Sequence, residues 1–280
     1  MWIFLSVLAG GLFTAESLAQ RRLLKGNGDA WAFAFYYSLI GAVISLPVML
    51  VDPELPQSPG EWLLAVLIGA LIVGNNVLLF RATAQLEVSF VGTLLKLRLV
   101  WVFLLGILFV HDDFSWARLA GTAAVVLSGV LVAHGMRRRG SSSAIMLVLA
   151  ATLFNAAIIV TSSYLLDSMN VASFTFFATF LPATILNYVL MPDARQRVAT
   201  MYAQHRQKVL FVCGFGALSN FALNGALATG DAGQVVVMSE AVLIFVAFGE
   251  HLILREKEYL GLKLVGIPLA VFGAVLIQLG

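Results

Sequence analysis

The sequence predicts an all-α integral membrane protein whose ten transmembrane helices form two inverted five-helix repeats, residues 1–136 and 144–280. Three observations predict it: apolar runs one bilayer long, a self-similarity at fixed offset, and basic residues confined to alternate connectors. Of the 280 residues, 60% are apolar and 11% charged, and the mean hydropathy is +0.95, a balance outside the soluble globular range. Runs of about 20 apolar residues match one crossing at 1.5 Å per residue. They lie near 2–20, 31–51, 62–80, 88–110, 116–134, 144–166, 171–192, 208–228, 234–254 and 260–279. The first lacks a basic leading region and carries Glu16 where a cleavage site needs small residues, so it reads as a helix and not a signal peptide. Connectors such as DPELPQSPGE, MRRRGSSS and PDARQRVATMYAQHRQK are too short to fold alone, which places function inside the bundle.

The repeat is carried by VLAGGLFTA (7–15) and VLAATLFNA (148–156), identical at six of nine positions at an offset of 141. The offset continues through Phe33 and Phe174, Phe35 and Phe176, Ile44 and Ile185, and Asp52 and Asp193. Near the ends, LAGTAAVVLSGVLVAHG echoes LVGIPLAVFGAVLIQLG. Five crossings per unit oblige the second copy to enter from the opposite side. Of the 17 Lys and Arg, 14 lie in the connectors after spans 1, 3, 5, 7 and 9, and the other connectors hold Arg118 alone. Basic connectors stay cytoplasmic, so both termini are expected outside the cell inner membrane.

The net charge of +2 forms no basic face and gives no reason to expect a nucleic-acid partner. A single cysteine, Cys213, allows neither an internal disulfide nor a cysteine metal site. The chain has no HExxH, GxSxG or phosphate-binding glycine loop, so neither an enzyme nor a cofactor is expected.

Charges inside spans are costly and mark sites or ion pairs. Lys96 and Arg98 sit in TLLKLRLVW, about 200° apart around a helix, so they cannot share one cavity. Lys96 shares its stripe with the small Gly92 and is read as the inward cation, against a structural ion pair with a carboxylate of the ninth span or snorkelling to the interface; Arg98 reads as a pairing residue that remains a candidate contact. Glu240 holds the corresponding place in the second repeat, and a desolvated carboxylate there can bind a proton or an amine in exchange. His251, eleven residues on, returns to the same stripe as a candidate for a proton path, against an interfacial role near a helix end. Glu16 is the other carboxylate candidate, against a surface pairing with Arg21 or Arg22. Asn220 and Asn224 make one polar stripe at i and i+4, backed by Gly216; Asn155 replaces Thr14 of the first repeat. Tyr37 is the aromatic candidate, among residues whose usual role is packing.

Two five-helix halves, each ending in a helix with spaced glycines (Gly121 and Gly129; Gly266 and Gly273), resemble the drug/metabolite transporter superfamily, specifically its EamA-type members. The Ala-Thr pairs at 82–83 and 228–229 add to the resemblance, as does MSEAVLIF, similar to that family's Glu-Pro segment with Ala241 in place of proline. The resemblance covers the whole chain and implies a small-molecule carrier with a central cavity working by alternating access. Its expected cargo is an amino acid or related zwitterion, exported, with protons as candidate coupling ion. A cation or drug exporter dominated by Glu16 and a flippase of a lipid-linked head group are the alternatives.

Overall fold

A computed structural model describes residues 2–25, 28–86, 88–95, 97–98, 100–101, 115–137, 142–166, 168–229 and 260–279. Among them every regular element is helical: α1 (Trp2–Leu24), α2 (Ala30–Met49), α3 (Pro59–Gln85), α4 (Val88–Leu95), α5 (Trp116–Arg137), α6 (Ser142–Leu166), α7 (Val171–Leu190), α8 (Ala194–Thr229) and α9 (Leu260–Leu279). Helices α1, α2, α3 and α7 are long and apolar enough to cross a bilayer. Lys96, Glu240 and His251 lie outside the described residues.

Local chemistry sets the boundaries. Asp29 caps α2 by accepting from the Trp31 and Ala32 amides at 3.0 Å each. Ser58 caps α3, with Pro59 in its first turn, where a missing N–H costs nothing. Asn170 caps α7, while its side-chain amide donates to the Asp52 carbonyl at 2.7 Å and its backbone N–H reaches the Glu54 carboxylate, stitching the connector after α2 to the start of α7.

Burial runs opposite to that of a water-soluble bundle. Phe4, Leu63 and Val189 are more than two-thirds exposed, whereas Ser38, Ser45, Thr152, Thr175 and Asn187 are fully buried. The buried hydroxyls of Ser38, Ser45 and Thr175 donate to the carbonyl four residues back, which satisfies them without leaving the helix. Asn187 donates across to Ser38 Oγ at 3.2 Å.

Helix α1 lies along α8 and α3 along α6; α5 packs on α9 and α2 on α7. Small residues allow these approaches. A Cβ on Gly41 would overlap the Phe180 ring, and one on Gly69 would stand 2.5 Å from Pro182 Cβ. Gly273 sits so near α5 that a Cβ there would fall 2.6 Å from the Gly121 carbonyl, and Ser128 Oγ donates to the Gly266 carbonyl at 2.7 Å. In the two aligned end segments Gly121 matches Gly266 and Ser128 matches Gly273.

Three features depart from the sequence expectation. The stretch ARQRVATMYAQHRQK, read as a connector, is helical from Ala194 and joins the span through a kink at His205 (φ −135°, ψ 17°). Helix α7 contains a π-helical segment, Thr175–Phe180, just before Pro182. Proline cannot donate to the preceding turn, and a widened turn accommodates it. The regular helix α4 ends at Leu95, and the Leu97 amide bonds back three residues to Leu94 at 3.0 Å. The angle assigned to Lys96 and Arg98 assumed an uninterrupted helix, which the described residues around them do not form.

Candidate functional site

Helices α1 to α4 enclose a cavity of about 90 Å³. Glu16, Ser17 and Gln20 face it from α1, Tyr37 from α2, and Asn76 and Thr83 from α3. Phe13, Leu79, Phe80 and Val91 supply apolar walls, and Gly92 and Leu95 of α4 complete the lining. In α1 the lining positions 13, 16, 17 and 20 follow the i, i+3, i+4, i+7 pattern of one helix face.

Glu16 is 4% exposed and faces this space. Among the described residues it has no ion pair: the neighbouring Arg21 turns its guanidinium to the Thr83 carbonyl at 2.6 Å, tying the end of α1 to the end of α3. The surface pairing weighed for Glu16 is therefore not the arrangement found with Arg21. Gly216 of α8 backs the carboxyl. A Cβ there would stand 3.1 Å from Glu16 Cδ and overlap the Tyr37 ring, so this residue must be glycine for the two side chains to sit as they do. Asn220, one turn further along α8, donates to Tyr37 Oη at 2.8 Å and to the Gly216 carbonyl at 2.9 Å. Because Tyr37 Oη accepts from Asn220, its own proton is left to donate, and no described residue receives it. Ser219 Oγ bonds the Ala9 carbonyl at 2.9 Å and fixes α8 against α1. Glu16, Tyr37 and Asn220, picked out separately in the sequence, thus form one cluster.

Asn155 and Arg98 lie elsewhere. Arg98 Nη1 donates to Asn155 Oδ1 at 3.1 Å, and Trp101 Nε1 donates to Thr152 Oγ1 at 3.1 Å, so the chain beyond α4 is held to α6 by two bonds one turn apart. The Asn224 side chain lies outside the described residues, although its backbone belongs to α8. Cys213 is fully buried among Val209 and Val212. Gln20 was missed from sequence. Its i+4 spacing from Glu16 was the available signal, and its Nε2 is buried with no partner among the described residues.

A second polar cluster lies beyond the end of α1. Arg197 of α8 grips Asp29 with Nε to Oδ2 at 2.6 Å and with Nη2 to Oδ1. The Trp31 ring lies 5.8 Å from both the Arg81 and the Arg197 guanidinium carbons. Burial pushes the Asp29 carboxyl up, but the Arg197 guanidinium and the two capping amides outweigh it and hold the group below its ordinary range.

No curated protein matches this chain. One solved structure, titled only as the crystal structure of a protein, superposes over 98% of this chain and 97% of its own with a TM-score of 0.61 and 14% identity, which speaks for the fold alone. The sequence profile of the EamA-like transporter family matches twice, over residues 1–133 and 142–279. With apolar helices long enough to span a bilayer and a cavity among them that a buried carboxylate faces, this multi-pass membrane chain belongs to the EamA-like transporter family.

Proposed function

We propose that the protein is a secondary active exporter of a small polar metabolite bearing an amine, an amino acid or related zwitterion, working by alternating access through the central cavity. The carrying observation is Glu16: a carboxylate buried within a span, facing a cavity, with no cation beside it among the described residues. A buried charge without a counter-ion is expensive, and such groups persist where a ligand or a proton supplies the counter-charge. Glu16 takes the amine and, in turn, the coupling proton; Tyr37 and Asn220 orient the remaining polar atoms. Lys96 follows the lining residue Leu95 in sequence and is assigned the carboxylate, with Glu240 and His251 assigned to coupling from sequence alone.

Cavity size supports a small cargo. About 90 Å³ holds a polar head group, well short of the roughly 300–1,000 Å³ of sites that engulf drug-sized ligands. Two inverted repeats, 1–136 and 144–280, with termini outside the inner membrane, complete the reading. Support comes from the pairing of α1 with α8 and of α3 with α6, which exchange when the repeats are exchanged. That no described residue supplies a counter-ion to Glu16 also favours a second reading, a carrier of simple cations.

Uptake into proteoliposomes separates the two. Glu16→Gln is expected to lower flux of either substrate roughly tenfold or more, the consequence of losing a charge-assisted contact. Lys96→Ala is expected to abolish zwitterion flux while sparing a monoamine without a carboxylate. Full zwitterion flux through Glu16→Gln would overturn the assignment; equal loss of both substrates in Lys96→Ala would leave Lys96 no substrate role.

A further inference from the structure

A larger cavity lies outside the transport site. Ala19, Arg22 and Leu23 at the end of α1, with Lys208, Phe211 and Val212 just past the kink of α8, line a groove of about 290 Å³. Its lining divides by chemistry into two exposed cations and four apolar side chains, with no acidic residue among the described residues that form it.

The division runs along the two helix axes. Arg22 is in the last turn of α1, and the sequence pattern puts both it and Lys208 among the basic connectors, which are expected beside the head groups. Phe211 lies three residues beyond Lys208, less than one helical turn or roughly 4.5 Å further into the span. From there an apolar lane continues along the outer face of α8: Phe211 is 61% exposed, its ring centroid is 4.4 Å from that of Phe215, and Leu218 is 50% exposed. Consecutive arginines therefore have different duties, Arg21 turned inward to the Thr83 carbonyl and Arg22 toward the groove.

We propose that this groove is a binding site for an anionic phospholipid. Its phosphate is held between the Arg22 guanidinium and the Lys208 ammonium. One acyl chain lies along Leu23, Val212, Phe211 and on toward Leu218. A soluble phosphate would satisfy the cations but leave the apolar floor wet, whereas a zwitterionic lipid would fill the floor but bring its own cation against Arg22 and Lys208. Only an anionic lipid matches both halves. Seated there, it bridges the α1–α8 pair that also carries Glu16 and Gly216.

The test is a thermal shift of the delipidated, detergent-purified full chain. The additions are phosphatidylglycerol, phosphatidylcholine with the same acyl chains, or inorganic phosphate, and lipid retained through purification is counted by native mass spectrometry. Phosphatidylglycerol is expected to raise the melting temperature and to be retained, the other two to do neither. Arg22→Gln with Lys208→Gln is expected to weaken apparent phosphatidylglycerol affinity roughly tenfold or more. The swap Arg22→Lys with Lys208→Arg should restore it, and Arg195→Gln, an exposed cation away from the groove, should leave it unchanged. Where the double glutamine variant does not accumulate, Phe211→Ser reads the same groove from its apolar side and should also weaken the shift. Equal stabilisation by phosphatidylcholine or by inorganic phosphate overturns the proposal, as does an undiminished shift in the double glutamine or Phe211→Ser variant.

Discussion

Glu16 and Asp29 are the same chemical group thirteen residues apart, and the fold treats them in opposite ways. Asp29 has every acceptor engaged: two capping amides and a two-pronged guanidinium from a helix 168 residues away in sequence. Glu16 has a phenol, a glycine and open space around it. A carboxylate that folding needs is given its partners by folding; one left short of them among the described residues is, on the function proposed above, sustained by something that arrives later. The two clusters are joined through α1, α2 and α8, which carry Glu16, Tyr37 and Asn220 within their apolar stretches and Arg21, the capping Asp29 and Arg197 at or near one end.

The contrast is sharpest in Glu16→Gln. Flux should fall at least roughly tenfold, while the melting temperature stays level or rises, because a neutral amide is cheaper to bury than an unpartnered charge. A variant that instead melts several degrees lower would place Glu16 with Asp29 as a structural group. Asp29→Ala should do the reverse, costing about 2–3 kcal/mol through the lost cap and ion pair and leaving substrate affinity unaltered in binding titrations on the folded fraction. Gly216→Ala should cost about 1–3 kcal/mol by pressing a methyl group into the Tyr37 ring, and its flux defect should exceed that of alanine at Gly214, where a Cβ meets nothing within 4 Å.

Smaller still is the pH response of the clasp. The Asp29 carboxyl titrates below its unfolded value, so its contribution is fully present above about pH 4 and fades as pH falls through the folded value. Thermal melts of wild type and Asp29→Asn should therefore converge on acidification. The least effect is expected from Tyr37→Phe, about 1 kcal/mol for one neutral hydrogen bond, seen as a severalfold rise in the substrate concentration that half-saturates flux.

Much of this was legible before any coordinates. A bilayer admits only a narrow range of span lengths, so hydropathy marks helices reliably, and a carboxylate in an apolar run, such as Glu16, announces itself by its cost. Neutral polar residues do not. Gln20 and Asn76 line the cavity while Ser38 and Ser45 bond their own helix, and composition cannot tell these fates apart. The helix from Ala194 was hidden because its polar sequence resembles a connector, although Tyr202 and Arg206, at i and i+4 with the guanidinium over the ring, have a spacing that a turn-by-turn reading would have caught. The Arg197–Asp29 pair lies beyond local reasoning altogether, since no pattern within one segment names a partner in another.

The seam between α5 and α9 joins the last helices of the two stretches that match the family profile. Exchanging the two halves exchanges the Ser128–Gly266 contact with the Gly273–Gly121 contact, yet one is bridged by a hydroxyl and the other is bare backbone against backbone. Two identical subunits meeting across a twofold would be bound to place one residue type at both spots. Within a single polypeptide that obligation is absent, so each spot is free to specialise, and the alternating access proposed above has a direct use for halves that differ.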